Sequence, residues 1–243
     1  MNASFDGNEI IDLLESNKEY PYYAAEKRID LFFTFFIETI LSEYFKTKVI
    51  FVAPEFPIKH TSTNRTDNAD MLCVIVSTGQ PIYVELKTDS RSFKSSQFES
   101  YIKRSESWSD SIAGLRSLVA NTTSSNRVKF FHLMQSLVLN NLAYYNSYDA
   151  SFEVRIMNLL STESVNEKSE RSRLIKQLSS TLECKWKGQA KVLYVAPSSV
   201  INSIHSRFDS EKVDLLEFSK IREDVPGTSA MYSKFVKFLH GIA

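Results

Sequence analysis

The chain has 243 residues with 29 basic and 29 acidic side chains; 43% of residues are hydrophobic and 12% aromatic. That apolar content can fill a core, which excludes an intrinsically disordered chain, and no apolar run of about 18 residues exists to form a spanning helix. With no GxxxxGK[ST], GxGxxG, CxxC or HExxH, phosphate-loop, dinucleotide-binding and zinc chemistry have no support. The N-terminus carries Asp6, Glu9, Asp12 and Glu15 without a basic segment, so a cytoplasmic protein without a secretory signal is expected. Cys73 and Cys184 form no motif and read as buried, reduced thiols.

In chain order, residues 8–16 suggest a short helix. A stronger one follows Pro21, where Ile29, Phe32, Phe33, Phe36, Ile37, Ile40, Leu41 and Tyr44 recur with a 3.6-residue period. Val49–Ile58 reads as a strand interrupted by proline, and the polar Lys59–Asn68 as a loop. Ala69–Val76 and Ile82–Thr88 read as two strands joined by the turn-forming Ser77–Pro81. From Ser95 to about Lys187 the pattern is helical, with breaks near residues 121–126, 146–150 and 161–163. Ser96 and Glu99 fit a capping box at its start. Strands are expected at 190–196 and 212–218 and an amphipathic helix at 232–242. This order predicts a single α/β domain over residues 1–243 with a helical insertion at about 106–188.

Charge is unevenly spread. Residues 1–45 hold 3 basic and 9 acidic side chains, residues 85–129 hold 8 and 5, and residues 166–191 hold 7 and 3. The two basic segments can build a polyanion-binding face.

The hairpin carries the chemistry. Pairing Ser77 with Gln80, or Val76 with Pro81, sets Asp70 opposite Lys87 and Leu72 opposite Glu85. Asp70, Glu85 and Lys87 then share one sheet face. Met71–Val76 is apolar throughout, and Ile82, Val84 and Leu86 are apolar too, so both strands should be covered on both sides. Two carboxylates in such a layer repel and are costly to desolvate. A hard divalent cation would relieve both costs.

Asp70, followed on the next strand by Glu85-Leu86-Lys87, resembles the PD-(D/E)xK nuclease superfamily. Gln97-Phe98-Glu99-Ser100-Tyr101 is similar to the QxxxY motif of its RecB-type and lambda-exonuclease-type branch. Gln97 and Tyr101 are four apart and project from one helix face. Ala69 stands where the family often has proline. The resemblance covers roughly residues 24–105 and implies a restriction-endonuclease-like core: helix, three-stranded antiparallel meander, helix and further strands. It implies a metal-dependent nuclease hydrolysing phosphodiester bonds in DNA. Asp70, Glu85 and the Leu86 carbonyl would hold Mg²⁺, with Mn²⁺ able to substitute. Lys87 would orient or deprotonate the attacking water, and Gln97 and Tyr101 would support the site or contact a phosphate.

The family also has an acidic residue on the preceding helix. Glu26 lies roughly 40° from the centre of the apolar stripe, Glu43 roughly 60° and Glu38 roughly 160°, which selects Glu26. Competing readings are a catalytically inactive nucleic-acid-binding or structural module of the same fold, and an RNA endonuclease.

Overall fold

A computed structural model describes residues 7–17, 25–59, 66–89, 93–146, 150–160, 165–208 and 212–242. Helices α1 (Gly7–Asn17) and α2 (Ala25–Phe45) precede three strands, β1 (Val49–Lys59), β2 (Thr66–Ile75) and β3 (Gln80–Leu86). Helix α3 (Ser95–Ser105) leads into a block made of α4 (Trp108–Asn121), α5 (Ser124–Leu139), β4 (Ala143–Tyr145), α6 (Ala150–Leu160), α7 (Val165–Ser180) and β5 (Leu182–Cys184). The chain then adds β6 (Lys191–Ala196), α8 (Ser198–Arg207), β7 (Asp214–Glu217) and α9 (Ala230–Gly241). The fold is α/β, with a five-stranded mixed sheet of order β1-β2-β3-β6-β7. Among the described residues no helix is long and apolar enough to cross a membrane.

The near-continuous apolar runs are covered on both faces, as expected. Met71, Cys73, Ile82, Val84 and Leu86 pack toward α2 and α9, where Phe235 contacts the rings of Phe32, Phe33 and Phe36. Leu72, Val74, Tyr83, Val192 and Tyr194 pack on the other face against α3, α4 and the block beyond. There Phe56, Tyr83 and Trp108 are in mutual ring contact. β1 is an edge strand, which is where Pro54 and Pro57 cost no ladder hydrogen bond. Cys73 is buried as expected, but Cys184 is only half-buried; both are free thiols.

β2 and β3 form the expected hairpin with a different register. Ile75 pairs with Gln80 and Met71 with Val84, so the turn is the four residues Val76–Gly79. Gly79 closes it with φ 73° and an amide donating to the Ile75 carbonyl at 2.8 Å. The shift is two residues, one full side-chain period, so Glu85 and Lys87 keep their expected face.

The sheet also forks. The β2–β3 ladder ends at Met71–Val84, yet β2 stays paired with β1 to Thr66 and β3 stays paired with β6 to Leu86. Glu55, placed between the Pro54–Met71 and Phe56–Ala69 pairs, has φ 48°. On either side of it Ala53 and Phe56, with Leu72 and Ala69, enter the same apolar layer although three residues apart. Simple alternation therefore fails at Asp70, which occupies the strand edge in the fork.

Other expectations shift. Lys59 extends β1 and Thr66–Asn68 extend β2; the intervening 60–65 lie outside the described residues. Lys94, not Ser96, is the N-cap of α3, and no side chain caps it. The block also contains a two-stranded β4–β5 ribbon, too short to show a period. Arginines tie the block's helices together. Arg127 donates to the Val119 carbonyl at the end of α4 and to Ser172 Oγ on α7, and Arg171 donates to the Leu159 carbonyl at the end of α6.

The turn gives a direct test. A Cβ at Gly79 would require a left-handed side-chain-bearing residue and would meet Trp186 Cδ1 at 3.3 Å. Gly79→Ala should therefore cost about 1–2 kcal/mol in denaturant unfolding. Unchanged stability would mean that this turn does not hold the register.

Candidate active site

The fork gathers the charged residues because the backbone groups there lack ladder partners. The Asp70 carboxylate takes the place of one: its Oδ2 accepts from the Leu86 amide at 2.7 Å. Glu85 and Lys87, at the end of β3, are buried to 1% and 4% exposure. Lys87 Nζ pairs with Glu85 Oε1 at 2.6 Å. The Lys87 backbone is anchored to β6 by its amide, which donates to the Val195 carbonyl at 3.0 Å.

Helix α3 grips the same carboxylate. Gln97 Nε2 donates to Glu85 Oε1 at 3.0 Å and to the Tyr101 hydroxyl at 2.7 Å. That hydroxyl lies 2.8 Å from Glu85 Oε2 and 2.5 Å from the Asn68 carbonyl, two acceptors sharing its one proton. Phe98 is fully buried and Ile102 packs at the core edge, as the helical spacing requires. Tyr101 is also fully buried. Its hydroxyl holds Glu85, the supporting position that was one of the two expected for it. Burial, then the Glu85 charge, keeps its phenol above the usual range and protonated.

Asp70 is the electrostatic hinge of the site. Burial and the nearby Glu85 charge push its carboxyl up to about 8, against the pull of Lys87 and the Leu86 amide. At neutral pH it holds a proton, leaving Glu85 and Lys87 as the charged pair. Asp30 on α2 adds to this upward push, a carboxylate the sequence reading passed over. It lies one turn beyond Glu26 on the same flank of the apolar stripe, so the wheel that selected Glu26 held the signal. Glu26 is in the first turn of α2, but its side chain lies outside the described residues. Glu38 and Glu43 are turned elsewhere: Glu38 Oε1 accepts from the Phe51 amide at 2.8 Å, and Glu43 pairs with Lys46 and Arg222.

Among the described residues no three His, Cys, Asp or Glu side chains converge as a metal-holding group. The donor set here is Asp70, Glu85 and the backbone of Leu86, whose visible contact is through its amide. Two hard carboxylates, one of them holding a proton against its ordinary acidity, fit a divalent cation that needs one or two carboxylates beside water or phosphate oxygens. A groove of about 730 Å³ opens beside the fork between β1, α4 and α5, with Asn68, Lys129 and His132 in its lining. A second recess of about 500 Å³ lies at the opposite end of β3 and β6, around Gln80 and Lys191, away from the carboxylates.

Two substitutions test the electrostatics. Lys87→Met leaves Glu85 buried without its cation and should cost about 3–5 kcal/mol, whereas Glu85→Gln combined with Lys87→Met should come close to wild type. Equal losses from the single and double variants would contradict the pairing. Folded Asp70 keeps its proton up to about pH 8, whereas its ordinary value is 3.8. Its stabilisation is thus complete below about pH 4 and is lost as pH rises through 8. In metal-free melts, Asp70→Asn should gain on wild type from pH 5 to about pH 8 and level off above it; a constant difference would place the Asp70 carboxyl in an ordinary environment. No family model, curated protein or solved structure matches the chain.

Proposed function

We propose that the protein is a metal-dependent nuclease of the PD-(D/E)xK type, with a restriction-endonuclease-like core, that hydrolyses phosphodiester bonds in DNA. The observation that carries this reading is the meeting of Asp70, Glu85 and Lys87 in the fork while Gln97 and Tyr101 hold Glu85 from α3. Chance matches to an acidic residue, an ExK and a QxxxY need not meet in space. These do. The free thiols at Cys73 and Cys184 suit a reducing, cytoplasmic setting.

Asp70, Glu85 and the Leu86 carbonyl would hold Mg²⁺ or Mn²⁺, which when bound supplies Lewis acidity and an acidified water. The chain's own residues do the rest. Asp70 would have to give up its proton to act as a ligand, and its Leu86 amide bond keeps the carboxylate aimed. Lys87, whose ammonium would be released in part from Glu85, would orient the attacking water and offset charge gathering on phosphorus; it could take the water's proton only after giving up its own. Gln97 and Tyr101 fix both Glu85 oxygens, so the carboxylate does not swing when its partner changes. The groove beside Asn68, with Lys129 and His132 in its lining, offers a path for a strand.

The direct Lys87–Glu85 pair favours one competing reading: a closed ion-pair network in a non-catalytic module. Linear, circular and single-stranded DNA, with RNA as a further arm, incubated with Mg²⁺ or Mn²⁺ separate the two. Cleavage of DNA that falls at least about a hundredfold in Lys87→Ala supports the enzyme. Gln97→Ala should lose about ten- to a hundredfold on every sequence alike. No cleavage of any substrate with either ion would favour the module. Mn²⁺ should also raise the melting temperature of the wild type by mass action and of Glu85→Gln much less. An equal gain in both would remove Glu85 as a ligand.

A further inference from the structure

The residue beside Glu85 on the neighbouring strand is Tyr194 of β6, which is its register partner in the parallel ladder. Its ring is 1% exposed and is set among Phe93, Phe98 and Tyr101, with centroids 6.0, 5.4 and 6.5 Å away. Buried tyrosines almost always give their hydroxyl a partner. Among the described residues this one makes no hydrogen bond. Burial first, and then the charges of Glu85, Asp70 and Asp67, hold the phenol well above its ordinary range. The hydroxyl is therefore a proton donor at any working pH, and it sits within the field of the site's carboxylates.

Those carboxylates are already served. Glu85 Oε1 takes Lys87 and Gln97, Glu85 Oε2 faces Tyr101, and Asp70 Oδ2 takes the Leu86 amide. A donor held rigidly at the edge of a satisfied acceptor cluster is left for a ligand oxygen. We infer that Tyr194 contacts the substrate, donating its hydroxyl proton in a hydrogen bond to a non-bridging oxygen of the phosphodiester bound over Asp70 and Glu85. This rests on the nuclease reading and adds a substrate contact outside the Asp70–Glu85–Lys87 and Gln97–Tyr101 sets. A phenol at this position reads the phosphate and not the base, so its effect is independent of sequence.

Tyr194→Phe removes only the hydroxyl and keeps the ring packing. The variant should melt within about 2 °C of wild type and show the same Mn²⁺-induced rise in melting temperature. Its kcat/KM on DNA should fall about ten- to a hundredfold on all sequences alike, the range for one hydrogen bond to a charged oxygen. Its affinity for a fluorescein-labelled oligonucleotide, single-stranded or duplex, measured by anisotropy without metal, should weaken in parallel. That affinity also decides the assignment if the wild type binds without cleaving. A wild type that cleaves beside a Tyr194→Phe variant within about twofold in both rate and affinity overturns the Tyr194 contact alone. A variant that loses its melting temperature or its Mn²⁺ response together with activity assigns the hydroxyl to the fold or the ion, and overturns the contact as well. A wild type that neither binds nor cleaves any oligonucleotide overturns the nuclease reading and the Tyr194 contact together.

Discussion

Two carboxylates and one ammonium group are held where a sheet splits, and the protein must keep them there at low cost. Ionising Asp70 beside Glu85 in a dry layer is unfavourable, so Asp70 keeps its proton up to about pH 8 and Glu85 is balanced by Lys87 at 2.6 Å. The cluster then carries no net charge. A buried ion pair of this kind adds little stability over an apolar replacement, and its loss from one side is costly. In the proposed nuclease the cluster has a use that stability does not supply: the proton on one carboxylate and the ammonium group on the other would both give way to a divalent cation.

The rest of the structure positions that cluster. β2 joins β3 only from Met71 onward, which frees the Leu86 amide for Asp70. α3 follows β3 and returns over the strand end, so Gln97 and Tyr101 reach both oxygens of Glu85. β6 runs parallel beside β3 and sets Tyr194 next to Glu85. The inserted block packs on the same face and, through α4 and α5, walls the groove that begins at Asn68. Its internal ties, Arg127 to Ser172 and Arg171 to Leu159, hold those walls without drawing on the site's own residues.

Much of this was legible in the sequence. The period of α2, the doubly buried β2 and β3, and the i, i+4 pairing of Gln97 with Tyr101 follow from residue spacing. Register was harder, because Ser77-Thr78-Gly79-Gln80 admits several turns; a two-residue error leaves Glu85 and Lys87 on their face, whereas Asp70 reaches them through the fork and not by alternation. The fork was invisible because it depends on where pairing stops, which alternation does not encode. Tyr194 was hidden inside an apolar strand, where a tyrosine reads as core, and only its unused hydroxyl beside Glu85 sets it apart. Asp30 shares the flank of α2 with Glu26, and helical spacing alone does not separate two carboxylates one turn apart. Helix α8 lies between the two expected strands in a stretch given no element, although Val200, Ile201 and Ile204 pack at helical spacing.

In the proposed site the proton on Asp70 and a divalent cation compete for the same pair of carboxylates. Calorimetric titration of Mn²⁺ at pH 6.5, repeated in buffers of different ionisation enthalpy, measures the ion bound and the proton released in one experiment. The expected result is binding with release of about one proton per ion, lost in Asp70→Asn and strongly weakened in Glu85→Gln. Absence of binding, or binding without proton release that persists in Asp70→Asn, would contradict the claim.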